Sequence, residues 1–260
     1  MSFYVEPSEG ISCDLNIFVT PNVPQKFGQL ITVPIKPLCS HHPIESIPGG
    51  VVMNTMTITG KFSPSQINNW LYRILPDISA LTEENDIELR YQSSTSKAYL
   101  QISLEIDKAE IRSQSVSTLS IIKQCISRFA ADQNKYLSIK TKVNDHTVGY
   151  ILNQMEVVFG NSKTLALQLK VIDALREIQN QEGGLEMLSQ DKKNLLFNAD
   201  KIVKRNASIP KELEMYKSII ASLYRDYRLL KGHTSTPNMQ TLKEYLKNFD
   251  KENILKLILS

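Results

Sequence analysis

The spacing of apolar residues changes once along this chain, near residue 145, and that change constrains the fold more than any other feature. Before it, apolar side chains recur at every second position in short runs. Leu15, Ile17 and Val19 do so, as do Ile87, Leu89 and Tyr91, then Leu100, Ile102, Leu104 and Ile106, then Leu137, Ile139, Thr141 and Val143. Period two places these residues on one face of half-buried strands in an antiparallel sheet. After residue 145 the steps are three and four, the spacing of helices that bury one stripe. The expected class is therefore α+β.

Two helices interrupt the strands. Ser63-Pro64 supplies a cap followed by proline at the first helical position, and Ile67, Trp70, Leu71, Ile74 and Leu75 continue at helical spacing as far as Pro76. Leu119, Ile122, Ile126 and Phe129 form a second stripe from about Ser117. With residues 53–60 as a strand, the order is β-α-β-β-α-β: an antiparallel sheet with helices packed on one face. Residues 36–52 carry three prolines and a Gly-Gly pair and read as a boundary loop. Ahead of them, Leu15–Val19 and Leu30–Ile35 lie at hairpin distance. Two strands bury too little to stand alone, so residues 1–48 are expected to hold the last strands of a larger β-domain plus a linker. Residues 49–160 then form the α/β unit and 161–260 the helical one. A chain of 260 residues exceeds the usual single domain.

The helical segment shows three stripes and two short helices. Leu165, Leu169, Ile172 and Leu175 form the first stripe, stopped by Gly183-Gly184; Leu188, Leu195, Ala199 and Ile202 form the second. Leu213, Tyr216, Ile220, Leu223, Tyr227 and Leu230 form the third, spaced for a helix–helix seam and closed by Gly232. Leu242, Leu246 and Phe249, then Ile254, Leu255, Ile258 and Leu259, mark the short helices.

The residues offer little chemistry. His41, His42, His146 and His233 are read as exposed loop histidines, and Cys13, Cys39 and Cys125 show no paired spacing, so neither a metal site nor a disulfide framework is expected. Glycine-rich phosphate loops and a nucleophile elbow are missing from the sequence. Glu83-Glu84 and Asp107/Glu110 fall in apparent turns. Catalytic residues, cofactors and metals are accordingly all expected to be none. With no apolar run near the roughly 20 residues of a spanning helix and no basic start followed by an apolar stretch, a soluble cytosolic protein is expected.

Charge and exposed apolar residues point instead to contacts. Residues 1–160 hold 13 Lys/Arg against 15 Asp/Glu, and residues 161–260 hold 17 against 12. Lys201, Lys204 and Arg205 share one helix face within the densest basic stretch, suited to an acidic partner or anionic lipid. Nucleic acid is not expected, because stacking aromatics and a known module are lacking there. Trp70 sits on an apolar stripe and reads as core. The closing ILKLIL covers more than one face of a short helix, so Ile254, Leu255, Ile258 and Leu259 either pack inside the chain or dock a partner.

Several runs also resemble one family. MNTMTITGKFSPSQINNWLYRILPDI and VIDALREIQNQEG, with IKPL at Ile35–Leu38, STLSIIK and Phe249-Asp250 in the same order, are similar to the C-terminal region of the Bardet–Biedl syndrome protein 7 family. The resemblance implies the end of a γ-adaptin-ear-like β-sandwich, an α/β platform and C-terminal helices. It implies a non-enzymatic scaffold in the BBSome, a coat that moves membrane proteins into and out of cilia. Implied partners are other BBSome subunits, chiefly Bardet–Biedl syndrome protein 2, with assembly chaperonins, intraflagellar transport particles and ciliary membrane cargo. Implied locations are the cytoplasm, cilium, basal body and ciliary membrane. The alternative class is another adaptor appendage that binds peptide motifs.

Overall fold

A computed structural model describes residues 9–20, 28–78, 87–180 and 188–260. Pro21, Pro24, Glu83, Glu84, Gly183 and Gly184 lie outside the described residues. The chain divides into two compact units, residues 1–151 with 223–237, and 152–222 with 238–260.

The first unit opens with the expected hairpin. Strands β1 (Cys13–Val19) and β2 (Gln29–Ile35) pair antiparallel, Ile17 opposite Ile31 and Phe18 opposite Leu30. Both faces stay open: Phe18 is 74% exposed on one and Ile31 41% on the other.

A six-stranded antiparallel sheet follows, ordered β3-β5-β6-β7-β4-β8. Its strands are β3 (His41–Pro43), β4 (Asn54–Gly60), β5 (Ile87–Ser93), β6 (Tyr99–Glu105), β7 (Lys108–Ser113) and β8 (Leu137–Lys142). Along β4, Asn54, Met56 and Ile58 are fully buried while the alternate threonines are not. Helices α1 (Pro64–Tyr72) and α2 (Val116–Asp132) contribute Ile67, Trp70, Leu119 and Ile122 to the same core. Both helices start where their sequence dictates. Ser63 accepts from the Gln66 amide at 3.3 Å with Pro64 in the first turn, and Ser115 accepts from the Thr118 amide at 3.2 Å. Each cap satisfies an amide that the helix itself cannot.

Two strands differ from the sequence reading. Strand β7 was expected as a turn because only Ala109 and Ile111 are apolar in it. Glu110 is a strand residue on the polar face, opposite Ser103 and Thr57. The turn is confined to Ile106 and Asp107, and Asp107 adopts a φ of 61° and accepts from the Phe62 amide at 3.2 Å. Strand β3 lies within residues 36–52, read as a loop, and joins the sheet at its edge, where a short proline-containing strand is tolerated. Helix α1 also stops at Tyr72 rather than near Pro76, although Ile74 and Leu75 remain fully buried.

Helix α3 (His146–Gln179) starts in the first unit and continues into the second. The second and third stripes divide differently from expectation: α4 (Gln190–Phe197) is separate, and α5 runs unbroken from Ala199 to Leu230 with Pro210 inside it. Pro210 removes one helix hydrogen bond but does not end the helix. Gly232, at a φ of 90°, closes it as expected, its amide bonded to the Leu229 carbonyl at 3.1 Å. Helices α6 (Met239–Asn248) and α7 (Lys251–Leu259) meet at Phe249. That residue takes a left-handed φ of 51° and stacks on Phe159, ring centroids 4.3 Å apart. Among the described residues no helix is long and apolar enough to cross a membrane.

Candidate interaction surfaces

The polar face of the sheet forms the larger hollow, about 530 Å³, between the 46–53 loop and strands β4 to β7. Its floor is made by outward residues of the alternating strands. Arg90 donates to Glu88 at 2.6 Å and to the Glu45 carbonyl at 3.0 Å, and Gln101 donates to Glu88 at 2.7 Å. The Gln101 and Arg90 hydrogen bonds hold the Glu88 carboxyl below its usual range. Arg112 pairs with Glu110. These charges neutralise one another, which suits a solvated sheet face better than the capture of a charged ligand.

One histidine is not the exposed loop residue expected. Strand β3 turns His41 inward, leaving it 2% exposed with neither ring nitrogen hydrogen-bonded among the described residues. Glu9 Oε1 lies 3.7 Å from Nδ1 and accepts from the hydroxyls of Ser40 and, at 3.5 Å, Ser93. Burial, then the adjacent His42, push the imidazole down to about 4, outweighing the nearby Leu38 carbonyl. The ring is therefore neutral at pH 7, and its contact with Glu9 is not an ion pair. A serine, a histidine and a carboxylate meet here, but among the described residues no serine hydroxyl bonds the ring, so the nucleophile–base pairing of acyl transfer is not formed by them.

Asn54 holds the platform to the helix that follows it. Its amide donates to the Ser113 carbonyl at 2.9 Å, while its oxygen accepts from the Asn144 amide at 2.8 Å and the Thr147 hydroxyl at 3.1 Å. The end of α5 is fastened differently. Asp226, 3% exposed, accepts from Ser120 at 3.3 Å, and Tyr227 donates to Asp145 at 2.7 Å. Leu230 packs against the sheet core. The third stripe is thus no continuous helix–helix seam: its last turns lie on the α/β unit. The one signal for Asp226 was a lone acid between Leu223 and Leu230 at helical spacing.

The residues chosen for partner contact fall into two groups. Lys201, Lys204 and Arg205 are exposed on α5, but Arg205 grips both oxygens of Glu212, at 2.6 and 3.0 Å. Lys201 and Lys204 have no ion pair among the described residues. In α7, Ile254 and Ile258 are fully buried within the chain's own second unit, while Leu255 is half-buried and Leu259 exposed.

Two family models match in succession: the BBS7 platform domain over residues 41–142 and the BBS7 hairpin over residues 145–258. The chain belongs to the BBS7 family. It is 28% identical over 251 residues to the mouse protein described as BBSome complex member BBS7, covering 95% of this chain and 35% of that protein. It is 24% identical over 257 residues to the Caenorhabditis elegans BBSome complex member bbs-7, covering 97% of this chain and 36% of that one. The chain thus spans about a third of the length of these curated relatives. In BBS7 terms, the platform match opens at β3 and closes with β8, and the hairpin match runs from the turn before α3 into α7. Asn54 and Ser120, within the platform match, bond Thr147 and Asp226 of the hairpin match, all four lying in the first unit.

Proposed function

We propose that this chain is the platform and hairpin region of a BBSome subunit and serves as a non-enzymatic scaffold in the trafficking of ciliary membrane proteins. The observation that carries this reading is the succession of two BBS7 family matches, separated only by residues 143 and 144. The mutual pairing of charges in the sheet hollow supports it, since a reaction needs a polar group left available and oriented. Other BBSome subunits are the proposed partners, chiefly Bardet–Biedl syndrome protein 2, with assembly chaperonins and intraflagellar transport particles as transient ones. The cytoplasm, the basal body and the cilium are the proposed sites of action.

In this reading the β1–β2 hairpin belongs to an ear-like β-sandwich whose further strands cover its exposed apolar faces. Exposed Lys201, Lys204 and Leu259, with half-buried Leu255, are the contact residues proposed on the helical side; Arg205, Ile254 and Ile258 are already engaged within the chain. Peptide capture by an open groove beside the platform helices is the competing reading. It is weakened by the end of α5, which bonds Ser120 of α2 through Asp226.

Co-expression of the tagged chain with the other BBSome subunits tests the proposal. A stable sub-complex on size exclusion is expected, with Bardet–Biedl syndrome protein 2 retained at high salt. Recovery of the folded chain alone, under conditions where the remaining subunits assemble, would overturn it.

A further inference from the structure

Helix α3 buries one set of apolar residues and leaves another in solvent. Its inner side is used up: Met155, Phe159 and Ile172 are buried in the second unit. The outer side reads Val157, Gly160, Thr164, Leu167, Val171, Ala174 and Ile178, at steps of three, four, three, four, three and four. All seven are exposed; Val157 is 61%, Leu167 63%, Val171 45% and Ile178 37% accessible. Thr164 returns its hydroxyl to the Gly160 carbonyl at 3.2 Å, which satisfies its polar atom within the helix. Scattered exposed aliphatics are ordinary on protein surfaces. Five of them, with Gly160 and Thr164, in strict heptad register over about 32 Å of helix are different, because that spacing is what knobs-into-holes packing requires.

We infer that the Val157–Ile178 face of α3 is a coiled-coil docking seam for a helix of another protein, one with an acidic flank. The flanks decide the occupant. On one side the seam is bordered by Gln154, Asn161 and Gln168, which carry no charge, and by Leu175, which is buried in the chain; on the other by Glu156, Lys163, Lys170 and Glu177. Glu156 is held by Lys251 at 2.7 Å, whereas Lys163 and Lys170 have no ion pair among the described residues. A second copy of this chain is a poor partner. Paired antiparallel in full overlap, Lys163 faces Lys170 and Glu156 faces Glu177, so like charges meet; paired parallel, each charged flank meets the uncharged one. A foreign helix with glutamate or aspartate opposite Lys163 and Lys170 gains both the apolar seam and the charge pairs that set partner choice. The inference stands on α3 alone and does not depend on the function proposed above.

The test uses the full chain and two synthetic helices of roughly three heptads, each with leucine in the seam, one flanked by glutamate and the other by lysine. Fluorescence anisotropy should show the glutamate peptide binding and the lysine peptide failing to bind. Leu167→Asp with Val171→Asp should weaken binding at least about tenfold while leaving the circular-dichroism melt in place, since both side chains are exposed. Lys163→Glu with Lys170→Glu should reverse the preference to the lysine peptide, which loss of fold could not do. Equal binding of the two peptides, an unreversed preference, or self-association of the chain abolished by Leu167→Asp would each overturn the inference.

Discussion

Ser120 of α2 donates to the buried carboxylate of Asp226 at 3.3 Å, joining residues 106 positions apart. Burial raises the pKa of this group, against the opposing pull of Arg225 and of the Ser117 and Ser120 hydroxyls. Ser117 exerts that pull without reaching hydrogen-bonding geometry. A raised folded-state pKa means stability that is present below the unfolded value of 3.8 and lost as pH climbs through the folded one. Asp226→Asn should therefore raise the melting temperature at pH 7, within the usual single-substitution range of about 0.5–3 kcal/mol. The gain should fade as the pH is lowered toward 3.8, as thermal melts at several pH values will show.

His41 has the opposite sign of dependence. Its pKa falls from 6.5 to about 4 on folding, so it supports stability above pH 6.5 and withdraws that support as the pH falls to about 4. The full loss is about 3 kcal/mol. His41→Leu should flatten urea-measured stability across this window relative to the parent. Glu9 and His42 lie beside it in both proteins, so the difference between the two curves isolates the His41 ring. Parallel curves would show that His41 is protonated freely.

Asn54→Ala strips partners from Ser113 and Asn144, while the Thr147 hydroxyl keeps its bond to the Asn144 carbonyl at 2.7 Å. Leaving buried groups unsatisfied costs about 1–3 kcal/mol each, and a total of about 3 kcal/mol is expected. Denaturant midpoints should drop without a change in slope.

Gly60 is constrained by space. A Cβ there would sit 2.7 Å from Leu137 Cδ2 and 2.9 Å from the Tyr136 carbonyl oxygen, and the carbonyl belongs to backbone that leads into β8. Gly60→Ala should cost about 1–3 kcal/mol, as overpacking does, and loosen β8. Faster amide exchange at Ile139 would report that loosening.

In the second unit, Phe159 and Phe249 should couple. A double-mutant cycle to alanine is expected to return about 0.5–1.5 kcal/mol beyond the single effects. Additive losses would mean that the stacked rings contribute area alone.

The sequence already carried most of the α/β unit. Met56 and Ile58, the alternating runs of β5, β6 and β8, and the Ser63 cap announce themselves because each pattern is local. Strands β3 and β7 were missed for a physical reason. An edge strand of three residues and a strand with only Ala109 and Ile111 inward bury too little side chain to leave a periodic trace; they form because neighbouring strands offer them hydrogen bonds. The contact residues were legible only in part, since Ile254 and Leu255 look alike in a string of letters.

Amino-acid order thus determined the α+β class, the one-sided sheet, the helix caps and the shift from period two to steps of three and four. Tertiary structure alone decided that His41 is buried and neutral, that Asp226 meets α2, and that α3 keeps one apolar stripe inside and another in solvent. Periodicity records which side of an element is apolar. What that side touches depends on segments a hundred residues away, and only the folded chain brings those together.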